Sequence, residues 1–207
     1  MVLREQKIKI LSMNLRHHFV LPFLAALGVL AAAFMVFGGT GLAEREAALS
    51  LELLASWVGP VLLTPVFLPE QNREIRDVVR SKRTDYLVVC GIRAGCSAVA
   101  LILSLSLYLG ILQCNECQVS GRLLFGAVAT ALFLGAVGLL AAAISDNAAV
   151  GYMAAMIYYL MNYGMREELG AFYLFGMQRG EYEGKGWLLA GGICLIGAAL
   201  GLRSRPG

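Results

Sequence analysis

Two cysteines separated by two residues, Cys114 and Cys117, give the spacing in this chain that most directly suggests chemistry. A C-x-x-C pair exchanges thiol for disulfide when one thiolate is stabilised, and on a membrane helix bundle that would suit a thiol-quinone oxidoreductase. In an oxidising compartment the same pair could close a loop as a disulfide, and otherwise it stands as two free thiols. An oxidoreductase would want a second pair facing the same side, whereas Cys90, Cys96 and Cys194 are scattered. Zinc takes four nitrogen or sulfur ligands, which one pair under-supplies. His17 and His18, with no matching ligands nearby, read as anchors at a membrane boundary, so no metal is expected. Gly184-Lys185-Gly186 lacks both the upstream glycine and the following hydroxyl of a G-x-x-x-x-G-K-[ST] phosphate loop. The chain is therefore expected to bind no cofactor of its own.

A second group is Tyr152, Met156, Tyr159 and Tyr163, offset by four, seven and eleven residues and so on one helical face. Polarizable and carrying hydroxyls, it could line a path for an amphipathic molecule, although such a stripe also serves simply for packing. Ionisable groups are sparse in the apolar runs. Arg93 and Asp146 fall near one end of their segments and Glu52 near the other, so no buried proton relay is expected.

The elements that must position these residues are set by composition. Of 207 residues, 58% are hydrophobic and 15% charged, with a mean hydropathy of +0.70; a soluble domain carries roughly 25% charged residues. This is an integral membrane composition, and a formal charge of +3 is too small to suggest a nucleic-acid partner. About 20 apolar residues cross the hydrocarbon core. Six segments qualify: Phe19 to Leu42, Leu49 to Leu68, Tyr86 to Leu112, Leu123 to Ile144, Ala148 to Tyr163 and Gly186 to Leu202. The expected fold is all-α: an N-terminal segment, 1–18, ahead of a six-helix transmembrane domain, 19–207.

Orientation follows from the cations. With the N-terminus inside, the cytoplasmic segments hold Arg4, Lys7, Lys9, Arg16, Arg73, Arg76, Arg80, Lys82, Arg83, Arg203 and Arg205. The outer loops hold only Arg45, Arg122, Arg166, Arg179 and Lys185. That asymmetry places both termini in the cytoplasm of a multi-pass cell-membrane protein. Ile8, Leu11 and Leu15 recur at helical spacing among cations, which suits a helix lying in the cytoplasmic interface. Between spans five and six, Phe172, Tyr173, Leu174 and Phe175 make the outer segment too apolar for a free loop and point to a short re-entrant or interfacial helix.

The loop at 69–85 is the most charged stretch. Ile75, Val78 and Val79 lie on one side of an otherwise polar helix. Its cations enforce topology and meet anionic lipid, and its apolar triplet gains most by docking against a partner.

Here the chain resembles the permeases of the type-2 ABC exporter class, with six spans, an N-terminal interfacial helix and a cytoplasmic loop between spans two and three. In that loop Glu70 matches the acidic residue, Glu74 to Ser81 the short helix, and Arg93 the basic residue entering span three. Where the family usually has a Gly-Thr pair and a proline, this chain has Glu74-Ile75 and Arg83. The resemblance implies that Glu70, Glu74, Ile75, Val78, Val79 and Ser81 form a coupling helix seated on a separate ATP-binding subunit, which would hold the ATP and magnesium. It implies a second permease copy or paralogue, and short re-entrant helices between spans five and six. The short outer loops favour a small hydrophobic or amphipathic substrate: a drug, lipid or membrane-active peptide. The other readings are a membrane thiol oxidoreductase using Cys114 and Cys117, and a non-transport membrane scaffold.

Overall fold

The computed structural model describes residues 20–70 and 86–204. Regular structure among them is helical: α1 (Val20–Phe37), α2 (Glu44–Leu53), a 3-10 turn (Ala55–Trp57), α3 (Val58–Leu63) and a 3-10 stretch (Thr64–Glu70) come first. Then follow α4 (Tyr86–Cys114), α5 (Gly121–Ser145), α6 (Ala148–Gly164), α7 (Arg166–Leu169), 3-10 turns at Gly170–Phe172 and Met177–Arg179, and α8 (Glu183–Ser204). Five stretches of the described residues are long and apolar enough to cross a membrane: Val20–Phe37, Glu44–Leu68, Val88–Cys114, Gly121–Ser145 and Glu183–Arg203. The expected fifth span is a helix too, α6, with 17 residues. The expected interfacial helix at 1–18, and Glu74, Ile75, Val78, Val79 and Ser81 of the expected coupling helix, lie outside the described residues. Glu70 closes the 3-10 stretch.

The first span was expected to run to Leu42 but its helix ends at Phe37. Gly38 and Gly41 take φ of 68° and 64°, a left-handed turn open to glycine and closed to most residues. The second span is a helix in pieces rather than one rod. Pro60 cannot donate to the Ser56 carbonyl, nor Pro65 to that of Val61, and each ring crowds the preceding turn. The chain meets this by passing through 3-10 geometry on either side of α3.

Helix α5 is the hub, packed against α3, α6 and α8. Its contact with α3 is backbone on backbone: a Cβ placed on Gly59 would lie 1.7 Å from the Ala131 carbonyl oxygen, and one on Gly135 2.6 Å from the Gly59 carbonyl. Gly138 and Gly151 bring α5 and α6 equally close, with the Gly138 oxygen 2.5 Å from a Cβ on Gly151. Small residues let helices approach this closely in lipid, where packing replaces the hydrophobic drive. By contrast a Cβ placed on Gly91, Gly95 or Gly197 would meet nothing within 4 Å among the described residues.

One end of the bundle gathers the connections 38–43, 115–120 and 165–182, here called the capped end. The first two are stitched by Gly41 N–H to Asn115 O (3.0 Å) and Gln118 N–H to Leu42 O (3.0 Å). At the other end α5 turns into α6 through Asp146 (φ 56°) and Asn147, whose side chain accepts the Ala149 N–H at 2.9 Å. Arg203 on α8 pairs with Asp146 and lies 5.2 Å over the Phe67 ring, tying three elements together.

Gly59→Ala should therefore cost roughly 3 kcal/mol or more, because neither backbone can yield to the added methyl. Gly95→Ala, in open space, should leave stability level or raise it by up to about 1 kcal/mol. Thermal unfolding of the two purified variants in detergent checks the contrast.

Candidate functional site

The capped end is organised around a buried charge. Glu52 sits in the last turn of α2, at 0% exposure, and Lys185 in the first turn of α8, at 1%. Their Oε1 and Nζ are 2.8 Å apart. A carboxylate at a helix C-terminus opposes the helix dipole, so its stabilisation comes from elsewhere. Glu52 Oε1 also accepts the Met177 N–H at 2.7 Å, and Oε2 accepts the Gln178 N–H at 3.3 Å. Lys185 spends its remaining donors on Thr130 Oγ1 of α5, 2.8 Å away, and on the Leu174 carbonyl. All three ammonium protons are thus used.

Three of these partners belong to the 165–182 connection, which is drawn into the bundle. Leu174 is 0% exposed, and Phe175 and Met177 2% each. From α6, Asn162 accepts the Leu174 N–H at 2.8 Å while its amide donates to Tyr158 O at 2.8 Å. The Tyr158 hydroxyl donates to Phe172 O at 2.7 Å. Phe175 lies in an aromatic box with Tyr159, Tyr163 and Tyr173, ring centroids 5.3, 5.0 and 5.9 Å away. A re-entrant or interfacial helix was expected here. What forms instead is a plug of 3-10 turns with its apolar side chains turned into protein, since non-helical backbone at membrane depth needs internal partners. Phe172 alone of the aromatic run stays 41% exposed.

Glu52 and Lys185 form a buried ion pair that no reading of the sequence anticipated, and Lys185 is a core residue rather than the loop cation expected. Each sits within a turn of a helix end, where a charge ordinarily reaches water. The fold of the plug is what closes water off. The available signals were Glu52 inside the apolar run Leu51 to Ala55, and Lys185 between two glycines directly ahead of Trp187-Leu188-Leu189. Thr130 and Asn162, buried at 0%, carried no sequence signal.

The tyrosine-methionine stripe divides. Tyr159 is buried, its hydroxyl donating to Leu53 O at 2.8 Å and its ring 5.1 Å from Trp57. Tyr152, Met156 and Tyr163 are 37%, 51% and 61% exposed on the bundle surface. Arg93 is half-buried on α4. Cys114 and Cys117 are separate thiols, one of the two states expected of the pair. Cys117 is buried and joins connections, accepting the Leu42 N–H at 3.4 Å and donating to Gly39 O at 3.6 Å, whereas Cys114 is exposed at the end of α4. Among the described residues no three side chains of His, Cys, Asp and Glu gather as metal ligands would.

Two concavities complete the picture. An apolar groove of about 300 Å³ runs between α1 and α4, with Leu30, Phe34, Leu107 and Ile111 in its walls. Its two polar side chains are already engaged: Tyr108 bonds Ser50 at 2.6 Å, and Ser104 bonds the Ala100 carbonyl. At the capped end, a hollow lined by Gly170, Glu181, Glu183 and Trp187 lies beside the plug. No family model, curated protein or solved structure matches the chain.

Removing one partner of a buried pair strands the other charge and costs about 3–5 kcal/mol, whereas replacing both is close to neutral. Glu52→Gln and Lys185→Met should each lower the thermal midpoint sharply in detergent, and the double variant E52Q/K185M should recover most of the loss. Equal, small shifts in all three would mean that the pair is solvated.

Proposed function

We propose that this chain is the membrane-embedded permease subunit of an ATP-driven exporter, working with a separate ATP-binding subunit and a second permease copy or paralogue. The observation that carries the reading is the plug. The connection between the last two long helices folds back into one end of the bundle and is held there by polar contacts to α2, α6 and α8, as a closure on a transport path would be. A scaffold has no need to close one end with a buried charge pair.

On this reading α6 is the fifth of six spans, both termini and the 69–85 loop face the cytoplasm of the cell membrane, and the capped end faces out. The plug then takes the place of the outward re-entrant helices of the type-2 exporter class. Glu70, Glu74, Ile75, Val78, Val79 and Ser81 form the coupling surface, an interfacial helix spans 1–18, and Arg93 is the basic residue entering span three. ATP and magnesium belong to the partner. The glycines Gly91, Gly95 and Gly197, where a Cβ would meet nothing among the described residues, suit close contact with a second copy. Of the stripe, Tyr152, Met156 and Tyr163 remain available to an amphipathic substrate, and the groove between α1 and α4 suits the alkyl part of a hydrophobic one. The thiol oxidoreductase reading loses ground, because Cys117 is committed to backbone contacts between two connections.

The test is to isolate the complex from native membranes through a tag on this chain and to assay ATP hydrolysis. The parent should bring down an ATP-binding subunit, and the double variant I75D/V78D should lose it, lowering ATPase activity in the eluate at least tenfold. A retained complex with full ATPase stimulation would sink the coupling role of the loop.

A further inference from the structure

The plug is held from three helices, by Lys185 of α8 at the Leu174 carbonyl and by two further clamps. Asn162 and Tyr158 of α6 take its first half, at Leu174 and Phe172. Glu52 of α2 takes its second half, at Met177 and Gln178. The second half is a compact unit, because Glu181 N–H and Arg179 N–H both bond Gly176 O, at 3.0 and 3.1 Å. It moves as one body if its anchor moves.

The anchor stands on a jointed element. Helix α3 is locked to α5 by the Gly59–Ala131 contact, but α2 is separated from α3 by the 3-10 turn Ala55–Trp57. Beyond α3 the same span runs to Glu70, at the root of the 69–85 loop. Lys185 has partners besides Glu52, Thr130 and the Leu174 carbonyl, whereas the Met177 and Gln178 N–H groups are both accepted by Glu52. The carboxylate is the group whose departure frees the two amides.

We propose that Glu52 is the latch of this plug: its carboxylate clamps the Met177–Arg179 turn over the mouth of the bundle, and tilting of α2 about the Ala55–Trp57 joint withdraws it and opens the mouth. This deepens the exporter reading and rests on it for its purpose, since that reading puts the drive at the 69–85 end of the same span. The latch itself is a property of this chain alone and is tested without any partner.

The probe is a thiol at position 177, buried in the closed plug. In a background with Cys96, Cys114 and Cys194 replaced by serine, Met177→Cys in lipid nanodiscs is exposed to a water-soluble maleimide and its labelling rate measured. The parent should label slowly. E52M/K185M, which removes the charges together with both acceptor oxygens, should label at least tenfold faster at a thermal midpoint close to that of the parent. The charge swap E52K/K185E is the sharper arm. It restores an ion pair, but a lysine at 52 cannot accept the Met177 and Gln178 N–H groups, so labelling should stay fast.

Parent-like labelling in E52M/K185M, or slow labelling in the charge swap, would overturn the latch. The pair would then be a staple with no hold on the plug. Either result is compatible with an intact ATP-binding complex. Conversely, fast labelling in both variants from a chain that captures no ATP-binding subunit upholds the latch and sinks the exporter reading.

Discussion

A carboxylate and an ammonium withdrawn together from water are tolerable only when their attraction and hydrogen bonds offset a desolvation cost of several kcal/mol per ion. Glu52 and Lys185 meet that condition with partners from four elements: the end of α2, the start of α8, α5 through Thr130, and the plug through Leu174, Met177 and Gln178. The geometry of the capped end follows from this requirement. The plug has to run near α2 for its amides to reach the carboxylate, and Leu174 has to turn its carbonyl toward α8. The apolar side chains between them are thereby carried into the bundle, where they keep the pair dry. Neither the charges nor the plug would hold its place without the other.

That arrangement needs a rigid wall behind it, and α5 supplies one. Its glycines at 135 and 138 remove the side chains that would keep α3 and α6 away, so Thr130, one turn before Gly135, is delivered to Lys185 at a fixed depth. The broken second span works the other way. Its prolines and 3-10 turns divide one crossing into a part fused to α5 and a part that answers to the plug.

The membrane character and the helices were legible because apolar runs of this length have few other uses. The apolar segment at Ala148 to Tyr163 and the helix Ala148–Gly164 differ by one residue. The end of α1 was misplaced because hydropathy continues through Gly38 to Leu42 while the backbone turns. The charge pair was illegible for a different reason. Its members are 133 residues apart, and each stands near the end of its own helix, where the ordinary fate of a charge is water. Only the path of the 165–182 connection decides otherwise, and that path depends on amides and carbonyls that have no letter in the sequence. Glu74, Ile75, Val78, Val79 and Ser81 rest on pattern and resemblance alone.

The unequal lengths of α5 and α6 bear on the surrounding bilayer. They are joined by a turn of only Asp146 and Asn147, so both start from one level. Yet α5 has 25 residues and α6 has 17, a difference of about 12 Å at 1.5 Å per residue. At about 25 Å, α6 is shorter than a typical hydrocarbon core of about 30 Å. On the proposed reading, in which α6 is the fifth span, the membrane on its flank must thin or polar headgroups must sink to meet the helix end. Hydrophobic mismatch on this one helix would then give the chain both a seat for its closure and a local defect in the lipid beside it.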